Sequence, residues 1–118
     1  MRFGVAIEAP MQWRDLLALA IEIDANSRYD FFWISDALIA NGPPEDPRLE
    51  AWSALAAIAQ ATSRVRLGVL VSGNAYRHPA VLAKMVTTID HISGGRIELG
   101  IGGGWPGENR RYGIAPGF

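Results

Sequence analysis

The chain has no cysteine and only two histidines, His78 and His91. The first absence excludes a disulfide framework and thiolate chemistry, and the second leaves too few imidazoles for a histidine-rich metal site. An excess of charge of either sign is missing as well. Eleven basic and 12 acidic residues are spread along 118 positions, for a net charge of −1. No basic patch points to nucleic acid, and no charged run marks a tail. Long apolar runs are also absent. The opening MRFGVAIEAP breaks at Glu8 and Pro10, too soon for a signal-peptide core. Nothing later approaches the roughly 20 residues of a membrane span. The expectation is a cytoplasmic protein.

What is present fits one globular domain over residues 1–118: 49% apolar residues, 19% charged, enough for a single core. Phe3–Ile7 is a short apolar run that reads as a strand buried on both faces. Trp13, Leu16, Leu17, Ala20 and Ile21 then recur at helical spacing, giving a helix from about Met11 to Ala25. Asn26-Ser27 stops it, because Asn tolerates the left-handed conformation. Phe31–Ile34 is a second strand. After a loop rich in proline, a helix runs from about Leu49 to Thr62-Ser63. Val65–Val71 is the third strand, and Ser72–Arg77 a polar loop at its end. His78 and Pro79 open a third helix, with proline at the first helical position where its missing N–H costs nothing. Gly94-Gly95 closes it, and Arg96–Ile101 reads as a fourth, buried strand.

Strand starts near positions 3, 31, 65 and 96 repeat at the length of a βαβ unit, about 30 residues. Such units demand right-handed crossovers and a parallel sheet. The fold class is therefore α/β, a parallel β-α-β-α-β-α-β sheet, which spacing alone leaves open between a half-barrel and a flavodoxin-like open sheet. No fourth helix is expected. Pro106 and Gly107 argue against one, and only five residues follow Tyr112-Gly113.

Ligands of parallel sheets bind outside the carboxyl ends of the strands. Those ends hold Glu8, Asp36, the segment Ser72–Arg77 and the glycines Gly102, Gly103 and Gly104, followed by Trp105. This polar, glycine-rich, aromatic collection suits a planar cofactor that bears phosphate. Asp36 either caps the following turn or takes part in chemistry. His78 reads as an N-cap, and His91 as a residue facing the negative end of its helix. Trp13, Trp33 and Trp52 read as packing residues, whereas Trp105 beside bare backbone has the makings of a pocket wall. Gly102, Gly104 and Gly107 match G-x-G-x-x-G. The dinucleotide fingerprint must open a helix and be followed about 20 residues later by an acid, so the match carries no weight.

Several segments occur in a telling order: Phe-Trp-Ile-Ser-Asp at 32–36, Glu-Ala-Trp at 50–52 and Thr-Ser-Arg-Val-Arg-Leu-Gly at 62–68. Tyr-Arg-His-Pro-Ala-Val-Leu-Ala-Lys follows at 76–84. Ile-Ser-Gly-Gly-Arg-Ile-Glu-Leu-Gly-Ile-Gly-Gly-Gly-Trp covers 92–105, with Glu108 and Tyr112-Gly113 beyond. Together they resemble the bacterial luciferase-like monooxygenase family, particularly its branch dependent on the deazaflavin coenzyme F420. The resemblance implies the first half of a TIM barrel and a cofactor that is reduced FMN or F420. It implies cofactor contacts at Asp36, at Ser72, Gly73 and Asn74, and at Gly102, Gly103 and Gly104. It also implies a non-proline cis peptide near Leu70-Val71. Ala37 stands where many deazaflavin-dependent members have His.

A whole TIM barrel needs about 250 residues. Four parallel strands leave the first and fourth as open edges and the inner apolar face uncovered. The expectation is self-association, as a homodimer or higher assembly, through the first and fourth strands, rebuilding an eight-stranded barrel. Two functions follow. One is a luciferase-like flavin- or deazaflavin-dependent oxidoreductase or monooxygenase, active only when assembled and acting on a small molecule. The other is a non-catalytic half-barrel, or a fragment, that self-associates. Neither involves nucleic acid or a membrane.

Overall fold

The computed structural model describes residues 1–39 and 45–114. Gly42-Pro43-Pro44, within the loop expected to run extended, and the last four residues lie outside the described residues. The strands β1 (Gly4–Ile7), β2 (Phe31–Ile34), β3 (Arg66–Gly73) and β4 (Ile97–Gly102) form one sheet in the order β1-β2-β3-β4. All neighbours are parallel. Sequential order excludes the flavodoxin-like alternative, in which the strand order reverses partway across the sheet. Between the strands run α1 (Trp13–Ala25), α2 (Ala51–Ala61) and α3 (Pro79–Ser93), and α4 (Pro106–Arg111) follows β4.

Local chemistry sets most helix ends. The Glu50 carboxylate accepts from the amides of Trp52 (3.2 Å) and Ser53 (2.7 Å), capping α2. His78 Nδ1 accepts from the Ala80 amide at 3.2 Å, the N-cap role read from the sequence. Gly94 ends α3 at φ 70°, where a side chain would be strained. Asn26 ends α1 differently from expectation: its backbone is extended, and its side-chain oxygen accepts from the Arg28 amide at 3.1 Å. Two arginines finish the work. Arg64 donates to the carbonyls of Ile23, Asp24, Asn26 and Tyr29 at the end of α1. Arg96 donates to those of Ala59, Thr62 and Val65 beyond α2. Arg64 thereby ties the end of α1 to the start of β3, and Arg96 ties the end of α2 to the start of β4, in each case the strand after next.

Register decides which face each strand residue shows. Val5, Phe32, Leu67 and Ile97 form one row, and Ile7, Ile34, Val69 and Leu99 the next. These rows point toward the helices. Phe32, Leu67 and Val69 are buried there with Trp52, Leu55, Ile58 and Val65. The alternate residues face the other way. On that inner side the Phe31 and Trp33 rings stack with centroids 6.1 Å apart, and the Arg2 guanidinium lies 4.6 Å from the Phe31 centroid. Arg66 pairs with Glu98 on the same side.

Four expectations are corrected. Neither β1 nor β4 is buried: β1 alternates exposed and half-buried, and Leu99 and Ile101 of β4 are 45% and 59% exposed. An edge strand of an open sheet has a neighbour on one side only, so apolar composition alone does not bury it. Strand β3 continues through Ser72 and Gly73, which are strand residues rather than loop. A fourth helix exists, although the sequence argued against it. Pro106 occupies its first position, where proline is tolerated, and Gly107 costs little in a single short turn-and-a-half. Finally, α1 and α2 each start two residues later than periodicity suggested, which is within the usual fraying of helix ends.

Candidate active site

The carboxyl ends of β2, β3 and β4 open onto a cleft of about 320 Å³. Its polar frame starts at Asp36, just beyond β2. Asp36 is 4% exposed, and its carboxylate oxygens accept from Ser72 Oγ (3.0 Å), the Gly73 amide (2.9 Å) and both terminal nitrogens of Arg77 (2.6 and 2.7 Å). Ser72 in turn accepts from the indole Nε1 of Trp52 at 3.0 Å. Arg77 also bonds to Glu50, the cap of α2. Burial opposes the charge on Arg77, but the paired carboxylates of Asp36 and Glu50 hold its pKa above the usual guanidinium range. Burial likewise works against the Glu50 charge, and the donors of Ser53, Arg77 and Trp52 overcome it, lowering its pKa. The chain Trp52–Ser72–Asp36–Arg77–Glu50 thus fastens the ends of β2 and β3 to the start of α2.

The opposite side of the cleft is bare backbone. Gly102, Gly103 and Gly104 line it with Trp105. A side chain at Gly103 would meet nothing within 4 Å, so the backbone there is open to a ligand. Gly102 is different: an added Cβ would lie 2.4 Å from Val71, so close strand packing requires glycine there. Gly73 is shielded by the Tyr76 ring, 2.5 Å from where a Cβ would sit. Between these walls lie Ala37, Leu70 and Val71, the last two joined by a cis peptide at the position the family resemblance implied. The third wall carries Tyr76 and Glu108. The Tyr76 hydroxyl donates to Glu108, and burial followed by this bond raises the phenol pKa well above its ordinary value.

The sequence-derived residues divide into three groups. Asp36, Gly73, Gly102, Gly103 and Gly104 line the cleft. Ser72 is fully buried and supports it from behind. Asn74 is exposed outside the lining, and its amide donates to the Gly102 carbonyl at 2.8 Å, tying the β3 and β4 ends together. Trp105 lines the cleft, the pocket-wall role suspected for it. Trp52 is a packing residue, but Trp33 lies on the inner face and Trp13 is exposed. Sequence reasoning missed the Arg77 clamp and assigned no role to Tyr76 and Glu108. The available signal for the last was an acidic residue a few positions beyond a Gly-rich strand end. Among the described residues no cluster of His, Asp or Glu could hold a metal, and no Lys or Arg lines the cleft.

Known proteins place this geometry. The family model described as luciferase-like monooxygenase matches residues 1–117. The 4-hydroxyprotoasukamycin monooxygenase of Streptomyces nodosus is 36% identical over 106 residues, covering 88% of this chain and 27% of that protein. The oxygenating constituent of 3,6-diketocamphane monooxygenase from Pseudomonas putida, solved with FMN, superposes with a TM-score of 0.79 at 25% identity. That match covers 97% of this chain and 33% of the other. The coenzyme F420-dependent tetrahydromethanopterin reductase of Methanopyrus kandleri gives a TM-score of 0.77 at 24% identity, covering 95% of this chain and 30% of that one. The chain spans about a quarter to a third of the length of the curated relatives it matches. Its four βα units are a half-barrel of the kind found in these larger folds, and the chain belongs to the luciferase-like monooxygenase family.

Proposed function

We propose that residues 1–118 form a single half-barrel domain of a flavin- or deazaflavin-dependent oxidoreductase, working in the cytoplasm on a small molecule. The observation that carries this reading is the cleft itself: bare backbone at Gly103, an apolar bed at Leu70 and Val71, and a rigid polar frame at Asp36, all at strand ends. These features fit a flat, conjugated ring. FMN and F420 are the candidates, because the similar solved structures include proteins that use each. The ring would be held by Leu70, Val71, Ala37 and the backbone of Gly102–Gly104. Asp36, through Ser72, Gly73 and Arg77, would keep those strand ends in place. Asn74 would act from the β3–β4 junction.

When bound, such a cofactor supplies the electrons, as a hydride or, with dioxygen, for oxygenation. The chain's residues orient it and exclude water from one side. Ala37 offers no acid or base. The Tyr76 proton is committed to Glu108, so this half of the site positions more than it transfers protons. Arg77, behind Asp36, is occupied by two carboxylates, and among the described residues no basic residue lines the cleft, so an anionic cofactor tail requires residues beyond these. TIM-type barrels commonly supply that site after their seventh and eighth strands.

Completion of the barrel means strands pairing on β1 and β4. For the chain by itself the partner is a second copy, with β4 of each meeting β1 of the other. A non-catalytic self-associating half-barrel is the second reading, favoured by Ala37, which offers no acid or base beside the cleft. Fluorescence titration with FMN and F420 separates the two. Binding of either at micromolar concentration supports the oxidoreductase, whereas no binding at high micromolar concentration defeats it for this chain. Sedimentation showing a compact stable monomer at micromolar concentration would defeat the dimer.

A further inference from the structure

Glu108 is 4% exposed, lines the cleft and has no basic partner among the described residues. Burying a carboxylate without a cation is costly unless its oxygens are satisfied by hydrogen bonds. One oxygen accepts from the Ile39 amide at 2.5 Å, and the other accepts from the Tyr76 hydroxyl. Ile39 lies in the segment after β2, Tyr76 in the segment after β3, and Glu108 in the helix after β4. Three strand-end segments therefore converge on one carboxyl group. The Tyr112 hydroxyl, one turn further along, donates to the Leu38 carbonyl at 3.5 Å and ties the same segment again. The Tyr76 ring lies against Gly73 and within 3.8 Å of where a Cβ of Gly104 would sit, bridging two glycines of the lining. The sheet's own core, around Phe32, Leu67 and Val69, makes no use of this carboxylate.

We propose that Glu108 is a positioning residue: it fixes the 37–39 segment and the Tyr76 ring as the rim of the cleft, and so sets how well the cleft holds its ring ligand. This rests on the function proposed above and adds a residue to it. The raised pKa of the Tyr76 phenol is consistent with a hydroxyl that stays protonated and bonded throughout the neutral range.

Two readouts on the full-length protein test it, amide exchange and ligand titration with FMN and F420. In Glu108→Ala, exchange at the Ile39 amide accelerates while the amides of β2 and β3 keep their protection. Ligand affinity falls about tenfold or more, the loss expected when a rim held by charge-assisted bonds comes free. Glu108→Gln restores both to within about threefold, because its carbonyl oxygen still accepts from Ile39 and its amide still meets Tyr76. Tyr76→Phe shows the affinity loss without the Ile39 change. Unchanged Ile39 exchange in Glu108→Ala overturns the proposal. So does lost protection throughout the sheet, which would make the residue a general stabiliser, and so does wild-type affinity in Glu108→Ala. If the unsubstituted protein binds neither cofactor, the proposed function fails. The exchange arm then decides the tether alone.

Discussion

The two faces of the sheet both carry large apolar side chains and come out in opposite states. On the helix side, Phe32, Leu67 and Val69 are fully buried beneath Trp52, Leu55 and Ile58. On the inner side, Leu70 and Val71 remain largely exposed, and Phe31 and Trp33 cover each other instead of an opposing wall. The first face is finished by the chain's own helices. The second has no opposing wall among the described residues. An apolar residue on a parallel strand therefore does not by itself show that the position is buried.

This contrast predicts a graded response to substitution. Trp52→Ala removes the largest buried side chain and leaves Ser72 without its donor, so it should cost about 3–5 kcal/mol, read as a fall in denaturant midpoint. Asp36→Ala leaves Arg77 short of its main partner; breaking such a pair costs about 3 kcal/mol or more, and Asp36→Asn should be nearly as damaging. On the inner side, Gly68→Ala puts a Cβ 2.2 Å from the Trp33 ring and 2.8 Å from the Glu98 carbonyl, costing roughly 1–3 kcal/mol. Its signature is a change in Trp33 fluorescence. Val71→Ser should change the stability of the unassembled chain by no more than about 0.5 kcal/mol, because the side chain already meets solvent. A loss as large as that of Trp52→Ala would show that the inner face is already closed.

Acid should also distinguish regions. Burial raises the Asp24 pKa, but amide donors from Val65, Ser63 and Arg64 outweigh it, so the folded value lies below the ordinary one. Its contribution is then present above the unfolded pKa, near 4, and is lost as pH falls through the lower folded value. Asp24→Asn should flatten that acid limb in a pH series of thermal unfolding, while His91→Gln should leave it unchanged.

Much of this fold was legible. The βαβ repeat located all four strands, and His78-Pro79 and Gly94-Gly95 located both ends of α3, because capping and backbone geometry act within a few residues. Helix α4 was not legible: six residues holding proline and glycine give no apolar periodicity. The exposure of Ile101 was not legible either, since hydropathy reports composition and not neighbours. The family resemblance anticipated the cis bond at Leu70-Val71. The bonds that frame the cleft join residues far apart in the chain: Asp36 with Arg77, and Ile39 with Glu108. No local pattern encodes such pairs.

The central claim is that a flavin or deazaflavin ring lies against the glycine backbone at the end of β4. Its most direct test is a fluorescence titration of the wild type and of Gly103→Trp, a position whose surroundings are open and whose φ is not left-handed. The account predicts that the wild type binds FMN or F420, and that the variant loses binding while its melting temperature is unchanged. Equal affinity in the two proteins would contradict it.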